Sequence, residues 1–286
     1  SYFELMALDN ELAIVRRTLE ARREGVRLAE IRFKGGLTSE IVFQQAKVEL
    51  AKTATMVPDL ERRISLKESE IALLTGDFPY AVNRNVLPEE IQLPDALPLG
   101  LPSTLQERRP DIRKAERELM AAHAEVGLAY TNMFPRLALT ATLGAESETL
   151  RDLLKSPYSY LAGNLLSPLF AMGKNRAALK AKRAAYEGAV AEYEKTVLTA
   201  FKETHNAIIN FNKIKDIYES RRQLAEASRT AVELAQLQYI NGVIGYLDLL
   251  DAQRNYFDAQ VSLSNAVCDK QLMIINLYKA LGGGWK

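Results

Sequence analysis

Hydrophobic positions along the chain follow a helical rule almost throughout. Leu5, Leu8, Leu12, Val15 and Leu19 are spaced by alternating steps of three and four. That spacing places them on one seam of a helix that packs against another helix. The seam runs to about Lys34 and meets Gly35-Gly36, residues suited to a helix C-terminus because glycine takes positive φ without steric cost. Thr38 or Ser39 then offers a hydroxyl to cap the next helix. The pattern predicts a helical hairpin with its tip at about residues 35–39. Pro58 is expected to break the returning helix, since an interior proline lacks the N–H its turn needs. A second piece of about residues 59–75 follows.

Punctuation is uneven. Six of the ten prolines lie from Pro79 to Pro110, and none follows Pro168. An irregular link is therefore expected over residues 77–103. Ser103 and Gln106 offer a capping box for a helix over about 104–134. That helix must stop before Pro135. One stretch changes period: Leu137, Leu139, Ala141 and Leu143 alternate with Arg136, Ala138, Thr140 and Thr142. Period two marks a strand with one apolar face. A polar loop from Glu146 to Lys155 and a less regular strand from Tyr158 to Phe170 complete an antiparallel hairpin. After Met172 no strong breaker occurs until Gly242, while Val190, Tyr193, Val197, Phe201, Ile208, Phe211 and Ile214 keep the seam. A helix of about 67 residues would be roughly 100 Å long. It turns at about 241–245 and returns to about Leu281.

The two helical hairpins repeat each other at the step from Gly36 to Gly242. Arg16, Glu20, Ala21, Val26, Leu28, Ala29 and Ala46 fall on Arg222, Glu226, Ala227, Val232, Leu234, Ala235 and Ala252, and Phe33 falls on Tyr239. Such a match implies two equivalent helix pairs per chain. The fold class expected is mainly α, built of two long antiparallel coiled-coil hairpins with one small β-hairpin.

Composition narrows the function. Hydrophobic residues make up 48% and charged residues 26% of the chain, enough for a packed core. The net charge of +1 gives no basic excess for nucleic acid. A single cysteine, Cys268, rules out an internal disulfide. No apolar run reaches the length of a membrane-spanning helix. Residues 1–10 read as helix interior and not as a signal peptide. His123 and His205 lack ligand-spaced partners, so no metal is expected, and no nucleotide, cofactor or hydrolase motif occurs. Asp111 beside Arg108 and Arg109 reads as helix-start electrostatics.

Several segments resemble the outer-membrane efflux channels of the TolC/OprM (NodT-like) type. They are Arg108-Arg109-Pro110-Asp111-Ile112 with Ala115-Glu116, then Phe134-Pro135 leading to a strand that ends in Gly144. They continue with Tyr239, Gly242 and Tyr246-Leu247-Asp248-Leu249-Leu250-Asp251-Ala252-Gln253-Arg254, and with the ending from Leu277 to Trp285. The resemblance covers essentially the whole chain. It implies a homotrimer forming one tube, in which each full protomer gives four strands to an outer-membrane barrel and helices to a periplasmic tunnel. It further implies a passive channel of a Gram-negative bacterium, recruited by a periplasmic adaptor and an inner-membrane pump, often RND-type. Residues 1–76 and 171–286 would be tunnel hairpins, 77–103 a linker or equatorial region, 104–134 an ascending helix and 135–170 barrel strands. By the repeat, a first β-hairpin is expected ahead of Ser1. With two strands alone the piece is expected to behave as soluble, since open edges do not survive in lipid.

The resemblance also suggests sites. Asp248 and Asp251, three apart on one helix face, would form acidic rings at the periplasmic gate, with Tyr239 and Arg254 fastening neighbouring hairpins. The first repeat carries Val42 and Gln45 there, and Ile244 stands where some relatives carry arginine. Gly36, Leu37 and Thr38, with Gly242, Val243 and Ile244, would be the adaptor-docking tips. A periplasmic adaptor and a coiled-coil scaffold without transport function are the alternatives. Adaptors carry one hairpin within a β domain, and a scaffold has no use for an amphipathic strand pair.

Overall fold

A computed structural model describes residues 1–84, 107–146, 157–167, 170 and 172–283. The elements are α1 (Tyr2–Lys34), α2 (Glu40–Thr75), α3 (Pro110–Thr131), β1 (Arg136–Ala145), β2 (Pro157–Leu166), α4 (Met172–Ile240) and α5 (Tyr246–Ala280). They divide into two compact units. One holds the described residues of 1–99 and 204–280, the other those of 100–203 and 281–286.

In the first unit α1 and α2 run antiparallel. Ser1 bonds Glu70, Lys67 bridges Glu4 at 3.0 Å, and Arg16 bridges Glu61 at 2.8 Å. Their seam closes on Leu5, Leu8, Leu12, Val15, Leu60 and Ile64, all buried. Each such side chain contributes about 1.5–3 kcal/mol. The second hairpin is also antiparallel: Thr204 Oγ1 donates to the carbonyl of Ala280, and Arg221 to that of Ser262. Helix α5 lies along α1. Asn10 donates to Ser264 Oγ at 2.9 Å, and the buried Cys268 thiol sits 3.5 Å from the carbonyl of Phe3. Burial pushes that thiol up to about 11, which keeps it protonated and inert.

The expected break at Pro58 does not occur. Helix α2 continues through it from Glu40 to Thr75. An interior proline costs about 3 kcal/mol. Here Met56, Val57 and Leu60, on either side of it, pack into the α1–α2 core and hold the helix in register. The Ser103 capping box lies outside the described residues. Helix α3 starts at Pro110, where a proline's missing N–H costs nothing.

In the second unit α3 and the first part of α4 run antiparallel, joined by Lys182–Glu125 at 2.5 Å and Asn175 to the carbonyl of Asn132 at 2.9 Å. The buried Arg109 guanidinium donates to Asp111 at 3.0 and 2.6 Å and to Glu203 at 2.6 Å. Asp111 also accepts the N–H of Ile112 at 3.0 Å, and Arg109 holds its carboxyl below the usual range. This is the helix-start role expected of Asp111, with Glu203 as a further partner. Gly282, at φ +72, sits so close that an added Cβ would stand 3.1–3.2 Å from the backbone of Arg108 and Arg109.

Strands β1 and β2 pair antiparallel from Arg136↔Leu166 to Ala145↔Pro157. Opposed residues share a face, so Leu137, Leu139, Ala141, Leu143, Leu161 and Leu165 form an apolar side. Thr140, Thr142, Tyr158, Tyr160 and Asn164 lie on the other. Phe170, expected in the second strand, lies beyond its end in a turn. The loop between the strands falls largely outside the described residues. No described helix is long and apolar enough to cross a membrane.

Candidate gate and docking tips

Both hairpin tips are the same turn. Gly36 and Gly242 take φ of +71 and +73. Leu37 N–H donates to Arg32 O at 2.8 Å, and Val243 N–H to Gln238 O at 2.9 Å. The N–H groups of Gly36 and Gly242 donate to the carbonyls of Phe33 and Tyr239. These paired bonds are a Schellman closure, which satisfies the last carbonyls of each helix. An added Cβ would meet nothing within 4 Å at either glycine, so conformation and not space demands glycine there. Gly36→Ala and Gly242→Ala should each cost about 1–2 kcal/mol, seen as lower thermal midpoints by circular dichroism.

At the tips Leu37 and Val243 are exposed, at 73% and 70%. Thr38 is half-buried, and Ile244 packs on the tip core of Ala29, Ala46, Tyr239, Tyr246, Leu249 and Leu250. Ser39 stands at the start of α2 without a side-chain capping bond.

The two aspartates differ. Asp248 Oδ2 accepts the N–H of Gly245 at 3.0 Å, three residues back at the start of α5. A carboxylate reaching back to the residue that caps a helix satisfies an orphan donor and meets the positive end of the helix dipole. Asp251 is free of that duty. It is 71% exposed and lies 3.6 Å from Arg254 Nη1.

Tyr239 is buried beneath α1. Its ring lies 4.7 Å from the Arg32 guanidinium and 5.8 Å from the Tyr246 ring, and its carbonyl accepts from Arg32 Nη1 at 3.3 Å. It thus ties the hairpins through ring and backbone. Its hydroxyl finds no partner among the described residues. Arg254 Nη2 lies 2.5 Å from Glu49 Oε1, which Lys52 also approaches at 3.3 Å. The Arg254 bond, followed by Lys52, holds the Glu49 carboxyl below the usual range against the opposing effect of burial. Arg22, also buried, donates to Gln253 Oε1 at 2.5 Å. Burial lowers its pKa, against the pull of Glu49.

Arg22, Arg32 and Glu49 lie outside the motifs read from the sequence, and Gln253 lies inside one without a role of its own. A signal existed for two of them. Arg22 continues the α1 seam at Leu12, Val15 and Leu19, and Glu49 sits on the α2 seam between Ala46 and Thr53. A charge on a seam calls for a partner.

Elsewhere, a groove of about 1080 Å³ in this unit mixes Glu4, Glu70 and Asp269 with Arg63, Lys67 and Arg221. Glu4 and Glu70 are both tied to Lys67. His123 lies against the Tyr186 ring. Among the described residues no cluster of histidine, cysteine or carboxylate could hold a metal.

Residues 101–283 match the family model described as outer membrane efflux protein. The chain belongs to this family. It is 34% identical over 284 residues to outer membrane protein OprJ of Pseudomonas aeruginosa, covering 96% of this chain and 58% of OprJ. It is 34% identical over 278 residues to the solvent efflux pump outer membrane protein SrpC of Pseudomonas putida, covering 96% and 59%. The solved structure of the outer-membrane channel OprN superposes with a TM-score of 0.86 at 32% identity, covering 99% of this chain and 64% of OprN. The chain therefore spans about three fifths of the length of these efflux-family relatives. The mainly helical class with one small strand pair is shared with such channels.

Proposed function

We propose that this chain is part of a passive outer-membrane efflux channel, the outer component of a tripartite exporter. The full protein works as a homotrimer in the outer membrane and periplasm of a Gram-negative bacterium. A periplasmic adaptor and an inner-membrane pump of the RND type recruit it. The observation that carries this reading is the strand pair. Its ten-residue strands are apolar on one face and polar on the other, next to helical hairpins in a chain of the efflux family. Strands of about 9–11 residues suit a membrane barrel. A periplasmic adaptor or a coiled-coil scaffold has no use for that face.

Adaptor docking at both tips is supported by repetition of their exposed apolar residues. Leu37 matches Val243, and Ile41 matches Leu247, all more than half exposed. Gly36, Thr38, Gly242 and Ile244 shape these tips. The gate reading assigns to Asp248 and Asp251 the attraction of cations, with Asp248 also capping the start of α5, and to Tyr239 and Arg254 the closure of the hairpins. Rings of carboxylates at a constriction draw cations and are blocked by polyvalent ones. Asp251→Ala in the full-length protein should weaken block by polyvalent cations in planar-bilayer recordings and raise leakage. Unchanged conductance together with unchanged block would reject the gate assignment.

A further inference from the structure

Helix α1 shows two different things to its two open faces. Tyr2 and Asp9 share one stripe of it, while Glu4, Leu8 and Glu11 share another that lies nearly opposite. The chain leaving α2 crosses the first stripe. Tyr2 Oη donates to the carbonyl of Asn83 at 3.5 Å, Arg84 bonds Asp9 at 2.9 Å and Glu68 at 2.6 Å, and Val82 is buried in the α1–α2 core. The second stripe floors the groove of about 1080 Å³, with α2 on one side and α5 on the other. In a tube walled by helices, a strap of irregular chain belongs outside, because inside it would obstruct the bore. The groove, on the other face, then opens to the bore.

The groove is apolar along Leu8, Val261 and Leu272, and its charges do not balance. Lys67 is held by Glu4 at 3.0 Å and Glu70 at 2.7 Å. Arg221 donates to the carbonyl of Ser262 and lies 3.6 Å from Asp269. Among the described residues Glu11 and Asp258 make no hydrogen bond or ion pair, and Arg63 is the one basic lining residue without a partner. Glu11, Met56, Phe257 and Asp258 are the lining residues nearest the tip on their helices. That end offers two unpaired carboxylates and an aromatic ring, which attract a positive charge. The rest of the groove offers surface that an apolar body covers favourably.

We propose that this groove is a cargo-holding site in the channel wall that takes an organic monocation with an apolar body. The charge meets Glu11, Asp258 and the Phe257 ring, and the body lies along Leu8, Val261 and Leu272. A groove of this volume admits a drug-sized molecule. Because it is open to water along its length, screening keeps the hold weak, which suits a surface that cargo must leave. An inorganic cation has no use for the apolar floor, and an organic anion meets the wrong charge. The inference rests on the channel reading and deepens it by naming the cargo chemistry that the wall favours.

The test records single-channel currents of the full-length protein with benzyltriethylammonium as blocker. Block is expected at lower concentration than with tetraethylammonium, which lacks the ring, and is expected to be absent with benzenesulfonate, which carries the opposite charge. Glu11→Gln combined with Asp258→Asn should raise the blocking concentration about ten-fold, and Phe257→Leu about three-fold. The gate is read separately, through block by polyvalent cations in Asp251→Ala. Asn265 is exposed and lines the groove. Asn265→Cys in a Cys268→Ser background, modified with a bulky membrane-impermeant thiol reagent, should lose the block. Three results would each overturn the site while leaving the channel reading standing: block of the Glu11/Asp258 variant at the wild-type concentration, block lost in Asp251→Ala instead, or unchanged block of the modified Asn265→Cys protein. A wild-type full-length protein that passes no current would overturn the channel reading and this inference together.

Discussion

Leu60→Ala should cost about 2–5 kcal/mol, the range for truncating a buried leucine. Leu60 is 2% exposed and packs with Leu5, Leu8, Leu12 and Val15 across the α1–α2 seam. It stands two residues past Pro58 and anchors the far side of the missing hydrogen bond. Removing it takes away packing that holds α2 together across the proline. Denaturant unfolding should therefore show the loss, and hydrogen exchange should show residues 59–75 opening ahead of the rest of α2. Uniform protection along α2 would mean that Leu60 does not brace the proline.

Arg254→Ala should cost about 2 kcal/mol and loosen the hold of hairpin 1 on hairpin 2. The Glu49 carboxylate would keep Lys52 and the field of the buried Arg22 while remaining buried. Stranding a fully buried charge costs about 3–5 kcal/mol. The figure is smaller here because Arg254 is itself half exposed and solvent screens part of the pair. The pair also sets an acid limit. Glu49 has a depressed pKa in the folded chain. Its contribution is complete above the ordinary glutamate value of about 4.3 and is lost as pH falls through the folded value. Wild-type stability should therefore decline below about pH 4.3, and the decline should be shallower in Arg254→Ala. Parallel pH profiles for the two proteins would remove Glu49 from this role.

Much of this architecture could be read from spacing. The three-four seam gave both hairpins, the glycine pair gave the first tip, and the change to period two gave the first strand. The repeat is legible because Gly36 and Gly242 share a demand for positive φ, and both turns close with the same bonds. The misses have physical causes. Pro58 breaks a helix only where nothing holds the pieces together, and the packing of Leu60 and Met56 is a property of two helices, not of one. The capping bond of Asp248 has no signature in spacing, because a cap depends on where α5 begins, and the placement of Gly245 decides that. Glu49 and Arg22 stand on the α2 and α1 seams, but their partners Arg254 and Gln253 come from a third helix that spacing within one hairpin does not reveal. Phe170 followed an apolar run whose strand ends at Leu166, four residues earlier.

The strand pair has a consequence for biogenesis. Among the described residues β1 and β2 bond only to each other, so each keeps one outer row of peptide groups open. In hydrocarbon every unmet peptide group costs several kcal/mol. A lone hairpin of this kind would find lipid forbidding, however greasy its leucine side. Insertion must therefore be collective: neighbouring strands, from the same polypeptide or another, have to zip onto both flanks before or during entry.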